Sequence, residues 1–219
     1  MGIYSIENIQ LMKKFPELAP ELYQSYIAFS KAVLNEGHLS RKEKEIIAVA
    51  VSHVTECPYC IDFHTKKAKK AGASLEELFE AVMAAAAIEA GGAYAHRTQM
   101  HRAYDGELAE SFYSRDDLSN INTLTDLSPE IQQTARAFFS KSSKEGKLTA
   151  KLKQLISVAV AHTSECPYCI ASHTAEAKKE GCSKEELSEA IMTAALLRSG
   201  GAVTHAVNML QSYEQGSEE

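Results

Sequence analysis

The chain has 219 residues, 45% of them hydrophobic and 24% charged, which fits a folded globular protein with a sizeable core and excludes disorder as its main state. A formal net charge of −6 argues against a nucleic-acid partner, and the cluster Lys66, Lys67, Lys69, Lys70 reads as a solvated helix face. No 18-residue apolar run free of charge is present, so no membrane partner is expected. Glu7 and Lys13 interrupt the N-terminal stretch, which rules out a secretory signal, and Ile6 stands where a myristoylation site needs Ser or Thr. A cytoplasmic location follows as an expectation.

In chain order, Pro20-Glu21 marks a first helix start and Asn35-Glu36-Gly37 its stop. Ser40 is the N-cap of the next helix. Its stretch Ile46 to Val54 is rich in β-branched residues and also fits a strand. A strand before Cys-Pro-Tyr-Cys would make a glutaredoxin-like unit. That fold needs a proline well downstream of the dithiol, and no Pro lies between Pro58 and Pro129 or after Pro167, so the helix is preferred. After the cysteines, Ile61 to Ala71 runs as a helix into Gly72. Ser74 with Glu77 forms a capping box for an Ala-rich helix, and Gly91-Gly92 is expected to break or kink it while letting another helix approach closely.

The second half repeats this order at an offset of 109 residues, without a gap from Lys44 to Met100. Cys57 maps to Cys166, His64 to His173, Gly91 to Gly200 and His96 to His205. The helix signals recur at Ser128-Pro129-Glu130, Lys144-Glu145-Gly146, Thr149, and Ser183 with Glu186. The chain therefore reads as all-α, a tandem duplication, with units 1–108 and 109–219 joined near the polar stretch Asp105 to Asp126. The tail from Glu214 is expected to fray.

Four of the five cysteines form the two Cys-Pro-Tyr-Cys units. Without an export signal, paired cysteines indicate redox chemistry or metal binding. Cys57 at an N-cap, Pro58 at the first helical position and Cys60 at the third place both thiols at the positive end of a helix, which favours a thiolate. His64 follows Cys60 by one turn on the same face and can exchange a proton with it. Glu45, on an otherwise apolar helix, is either a base with a raised pKa or a solvated charge. Glu56 and Glu165, next to the first cysteines, are expected to face solvent.

The spacing Glu45-x11-Cys57-x2-Cys60-x3-His64 resembles the AhpD-like alkylhydroperoxidase family, within the wider carboxymuconolactone decarboxylase superfamily. The resemblance covers nearly the whole chain as two copies. It implies an all-helical fold and a thiol-dependent peroxidase with no cofactor. Cys60 would attack a hydroperoxide and become a sulfenic acid, Cys57 would resolve it as a disulfide, and Glu45 with His64 would relay protons. It also implies an external dithiol reductant, in the family a lipoyl protein, and a homo-oligomer: a trimer of two-unit chains, with a dimer next, through Ala81 to Ile88 and Ala190 to Leu197. Two departures stand out. Tyr59 and Tyr168 occupy the place where peroxidase members often carry His, and a phenol is a poorer shuttle at neutral pH. Gln154 stands where the first copy has Glu45, and an amide is no base. Cys166, Cys169 and His173 can still form a second centre, with repeat 1 the more active.

Zinc is the rival reading, because His53, Cys57, Cys60 and His64, and again His162, Cys166, Cys169 and His173, supply two Cys and two His. A redox sensor with slow turnover and a non-redox lactone decarboxylase are the others. His53 and His162 are equally consistent with a site role and a structural one. His96 and His205 are expected to be structural, Cys182 a small buried residue, and Met83 and Met192 core.

Overall fold

The computed structural model describes residues 5–106, 113, 115–121, 124 and 126–215. Among these there are helices and no strands. A 3₁₀ helix, Ile6–Lys14, and a short α1, Phe15–Leu18, lead into α2 (Pro20–Leu34), α3 (Arg41–Val54), α4 (Pro58–Lys70) and α5 (Leu75–Tyr104). After α6 (Arg115–Asn120) the pattern recurs as α7 (Pro129–Ser143), α8 (Ala150–Thr163), α9 (Pro167–Lys179) and α10 (Lys184–Gln215). The boundary expected between 108 and 109 lies outside the described residues. Helix α10 reaches Gln215, and the rest of the tail expected to fray lies outside the described residues.

The capping signals work as read. Ser40 accepts from the Glu43 amide and the Glu43 carboxylate accepts from the Ser40 amide, and Ser74 with Glu77 does the same. Thr149 accepts from Leu152 N. The β-branched run forms α3, not a strand, because this helix is enclosed on every side. Residues Lys44 to Ser52 are all buried, against α4, α5, α8 and α10. Helix α8 repeats this with Leu152 to Ala161, and α3 and α8 also pack on one another. A helix core surrounded by neighbours needs no polar face, so β-branched residues can fill consecutive positions there.

Helices α5 and α10 pack on both α3 and α8 and join the repeats into one core. They run unbroken through Gly91-Gly92 and Gly200-Gly201, so the expected breaks do not occur. Flanking alanines and ten or more residues on each side sustain the helix across the pair. At 30 residues α5 is about 45 Å long, enough to leave its own repeat and enter the other. It also has the length and apolarity of a membrane span, although α3, α7 and α8 pack along it. Ala81, Ala84, Ala85 and Ile88, like Ala190, Ala194, Leu196 and Leu197, are buried in the chain's own core. Much of the stretches expected as exposed subunit interfaces is therefore buried within the chain, with Ala86, Met192 and Ala195 left exposed. Met192 is 43% exposed, against the expectation of a core residue, and Met83 is half-buried.

Two equivalent clamps close the junction. The Glu189 carboxylate accepts from His38 N (2.9 Å) and Leu39 N (2.9 Å) and pairs with buried Lys44 Nζ (2.9 Å). Glu80 accepts from Lys147 N (2.8 Å) and Leu148 N (3.1 Å) and pairs with buried Lys153 Nζ (2.9 Å). A Cβ on Gly37 would lie 2.3 Å from Glu189 Oε1, and one on Gly146 2.5 Å from Glu80 Oε1. Glycine is thus required for the carboxylates to reach the backbone. Burial works against each carboxylate, but the amides and the lysine outweigh it and hold both carboxyls at about 2.

Removing one carboxylate leaves a buried lysine ammonium without its ion pair. Glu189→Ala is therefore expected to cost about 3 kcal/mol in denaturant unfolding. Because the folded carboxyls lie below their unfolded value, the stabilisation is complete above about pH 4.5 and is lost as pH falls toward 2. A Glu80→Gln/Glu189→Gln chain should show a shallower loss of stability across that window than the unsubstituted chain.

Candidate active site

Each pair of thiols sits where one helix ends and the next begins. Helix α3 closes at Thr55, Glu56 takes a left-handed conformation (φ 53°), and Cys57 caps α4. Glu165 (φ 56°) does the same before Cys166. A residue with a Cβ costs about 1 kcal/mol in that region, and here it buys an immediate turn from one helix into the next. Both side chains are exposed, as expected, and Glu165 contacts Arg198.

The sulfur of Cys57 accepts the Cys60 amide at 3.3 Å, and Cys166 accepts that of Cys169 at 3.3 Å. All five cysteines are free thiols, and the four paired ones are buried. A hydrogen bond from the Cys60 thiol is the main reason that Cys57 drops to about 5; burial opposes it, while Thr204 and the amide reinforce it. Cys60 is correspondingly pushed up by that same bond and by burial. Cys166 falls to about 5 and Cys169 rises for the same leading reasons. In each pair the shared hydrogen bond favours the thiolate on the capping cysteine and the proton on its partner.

Glu45 is fully buried. Its Oε2 meets His64 Nδ1 at 2.8 Å and its Oε1 meets Arg41 Nη2 at 3.4 Å, so the solvated-charge reading does not hold. In repeat 2, His173 Nδ1 lies 3.2 Å from Gln154 Oε1. The amide oxygen only accepts, so His173 donates from Nδ1. Burial pushes the His173 imidazole down, toward its neutral form.

Cys60 and His64 open onto a cavity of about 320 Å³, with Tyr26, Phe63, Leu197 and Thr204 in its wall. Cys169 and His173 open onto one of about 200 Å³, walled by Tyr94, Ile121 and Phe139. Neither cavity wall includes the capping cysteine, Cys57 or Cys166.

The far wall of each site comes from the other repeat. A Cβ on Gly92 of α5 would lie 3.8 Å from both Cys166 Sγ and Cys169 Sγ, and one on Gly201 of α10 would lie 4.0 Å from Cys57 Cβ. Thr204 Oγ1 stands 3.3 Å from Cys57 Sγ and 3.6 Å from Cys60 Sγ. Its counterpart in repeat 1 is Ala95, so site 2 has no such hydroxyl. The His205 ring meets Tyr59 edge-on at 6.0 Å, and its charge favours the Cys57 thiolate. The His96 ring meets Tyr168 at 5.5 Å and bears on Cys166. His96 and His205, expected to be structural, thus pack on the tyrosine that stands between the two cysteines of each pair. Tyr59 donates to Asn208 Oδ1 (3.3 Å), whereas Tyr168 donates to buried Asp117 Oδ2 (2.9 Å), which also pairs with Arg102 at 2.6 Å. Thr204, Asp117 and Arg102 carried no sequence signal, because their partners lie far away along the chain. The recurrence of the glycine pair and of His96 as His205 was a usable signal.

His53 and His162 serve their own helices, with Nδ1 on Val49 O (2.8 Å) and Val158 O (2.7 Å). Among the described residues no three His, Cys, Asp or Glu side chains converge to hold a metal ion. The two-Cys, two-His set is not assembled, because His64 turns to Glu45 and His53 to its own backbone. Cys182 is half-buried, its sulfur 3.8 Å from Lys151 O, and burial pushes its thiol up.

Removing the Thr204 hydroxyl at constant volume tests the cross-repeat contact. In a Cys166→Ser/Cys169→Ser/Cys182→Ser chain, thiolate absorbance at 240 nm should vanish as pH falls through about 5. Thr204→Val should move that midpoint up by about one pH unit, the scale of one hydrogen bond to a charge.

Comparison with known proteins agrees with this architecture. A crystal structure from Burkholderia xenovorans LB400, of a protein named as a gamma-carboxymuconolactone decarboxylase subunit, superposes with a TM-score of 0.71 over 94% of this chain and 90% of that one, at 18% identity. At that identity the likeness is one of fold. A protein of Paracoccus denitrificans named "Uncharacterized protein 4 in cox locus" is 49% identical over 72 residues. That match covers 33% of this chain and spans 65% of the length of the relative. The model of the carboxymuconolactone decarboxylase family matches twice, at residues 20–100 and 129–212. With one match in each half and a Cys-x-x-Cys pair in both, the chain is a two-repeat member of the carboxymuconolactone decarboxylase family, of the AhpD-like superfamily.

Proposed function

We propose that the protein is a thiol-dependent peroxidase that reduces hydroperoxides through its paired cysteines, with repeat 1 the faster centre. The observation that carries this reading is the buried Glu45–His64 pair, 2.8 Å apart, beside a dithiol whose second sulfur opens onto a cavity. A proton relay next to a thiol and a substrate-sized space are what peroxide cleavage requires.

The hydroperoxide enters the cavity and meets Cys60. The Cys57 thiolate takes the Cys60 proton, and the Cys60 sulfur attacks the terminal peroxide oxygen. The O–O bond breaks, Cys60 becomes a sulfenic acid, and the alcohol leaves with a proton from His64, which Glu45 orients. Cys57 then attacks the Cys60 sulfur, water leaves, and the disulfide forms. An external dithiol, such as a lipoyl group on a partner protein, returns two electrons and two protons by exchange. The largely apolar cavity suits an organic hydroperoxide.

In repeat 2 the same thiols lack the carboxylate. His173 is held by an amide, and its proton on leaving is not replaced from Glu45's position. The decarboxylase name borne by the Burkholderia relative is the alternative, and it gives no role to two buried dithiols.

Turnover of cumene hydroperoxide with dihydrolipoamide as reductant separates these readings. Cys60→Ser should remove most of the activity. Glu45→Gln should lower kcat/KM by about 10²-fold, the lower end for a lost acid–base group. Gln154→Glu should raise the activity of a Cys57→Ser/Cys60→Ser chain. Turnover that survives Cys60→Ser but is abolished by Cys169→Ser would overturn the assignment to repeat 1.

A further inference from the structure

We propose that His96, delivered by the long helix of repeat 1, is the base that deprotonates Cys166 of repeat 2, so that this dithiol closes its disulfide with an imidazole from across the junction. The proposal rests on the reading of the paired thiols as redox-active. It does not require that their oxidant be a peroxide.

Geometry brings the group there. Gly92 lies against both sulfurs, with its would-be Cβ 3.8 Å from each. His96 follows it by one helical turn on the same face of α5. Its ring is fixed edge-on to Tyr168 at 5.5 Å and tilted against Tyr113 at 5.8 Å. Its Nε2 is buried with no hydrogen-bond partner. It bears on the Cys166 sulfur, whose thiolate it favours. Other ionisable groups surround the pair. Cys169 lies on α9 with Cys166, the Tyr168 hydroxyl is spent on Asp117, which Arg102 neutralises, and Glu89 reaches the rim through Ser164. Tyr113 is a phenol. Of the carboxylates among these, Glu89 acts on Cys166, and it does so through charge alone.

The step balances as written. When Cys169 is a sulfenic acid, the thiol hydrogen bond that favoured the Cys166 thiolate is gone, and Cys166 gives the proton it took from Cys169 to His96. Its sulfur bonds to Cys169 Sγ, the S–O bond breaks, and the departing hydroxide takes that proton as water. When Cys169 is a mixed disulfide, the S–S bond to the leaving thiol breaks instead, and that thiol takes the proton. Site 1 is built differently. There Thr204, a donor that does not titrate near neutrality, also lies on Cys57, and His205 shares the site with it.

The test uses 4,4′-dithiodipyridine on a full-length Cys57→Ser/Cys60→Ser/Cys182→Ser chain. Cys169 releases one thiopyridone on forming the mixed disulfide, and Cys166 releases the second on closing the bond. His96→Gln should leave the first release within twofold and slow the second by 10²-fold at pH 7, the scale of a lost general base. The deficit should disappear above about pH 10, where a thiol ionises unaided. An unchanged second release, or one slowed equally at every pH, would overturn the proposal. A measurement on the unsubstituted chain guards against a misfolded variant. The ring-nitrogen NMR shifts of His96 should move when the Cys166–Cys169 bond forms, while those of His162, held on Val158 O, stay; an unmoved His96 would also overturn the assignment. Failure of peroxide turnover leaves these results intact, so the two readings fail separately.

Discussion

The contact on which the rest of the structure depends is the close approach of each long helix to the dithiol of the opposite repeat. Helices α5 and α10 can pass over the thiols only because Gly92 and Gly201 present no side chain there. That approach buries both sulfur pairs, forms one wall of each cavity and fuses the repeats into a single core. A repeat on its own would lack the glycine-bearing helix that lies against its dithiol. The carboxylate clamps at Glu80 and Glu189 hold the same junction from its edges, each tying the start of one long helix to a backbone turn before α3 or α8 of the other repeat.

Because each site is assembled from both halves, the duplication allowed the two centres to diverge through residues that lie far apart in the chain. Site 1 combines a carboxylate–imidazole pair with a hydroxyl on both sulfurs. Site 2 has an amide–imidazole pair, no hydroxyl, a smaller cavity and a buried Asp117–Arg102 pair behind its tyrosine. Identical Cys-Pro-Tyr-Cys motifs therefore sit in unlike electrostatic surroundings. On the proposed function this amounts to a division of labour: the first centre carries its own proton relay, and the second takes a group from across the junction.

Much of this was legible in the sequence. The repeat offset, the capping boxes, the helix order and the Glu45–Cys57–Cys60–His64 spacing all rest on local chemistry, and local chemistry survives folding. Glu45 could not be decided, since burial depends on what packs over α3, and that is α5, α8 and α10. The glycine pairs were misjudged as helix breaks because propensity was weighed without the packing that overrides it. The stretches Ala81 to Ile88 and Ala190 to Leu197 looked exposed for the same reason, as α3 and α8 both pack on the helices that carry them. Thr204 was invisible, because its meaning comes from a sulfur 147 residues away. His96 and His205 gave a signal through their recurrence, but their target lay in the other repeat.

The most direct measurement is a map of thiols by mass spectrometry after reduced protein meets a small excess of an organic hydroperoxide and is quenched by alkylation. The account predicts that the Cys57–Cys60 bond forms first, taking five free thiols to three, and that the Cys166–Cys169 bond follows more slowly while Cys182 stays reduced. Five unreacted thiols, or closure of Cys166–Cys169 ahead of Cys57–Cys60, would contradict it.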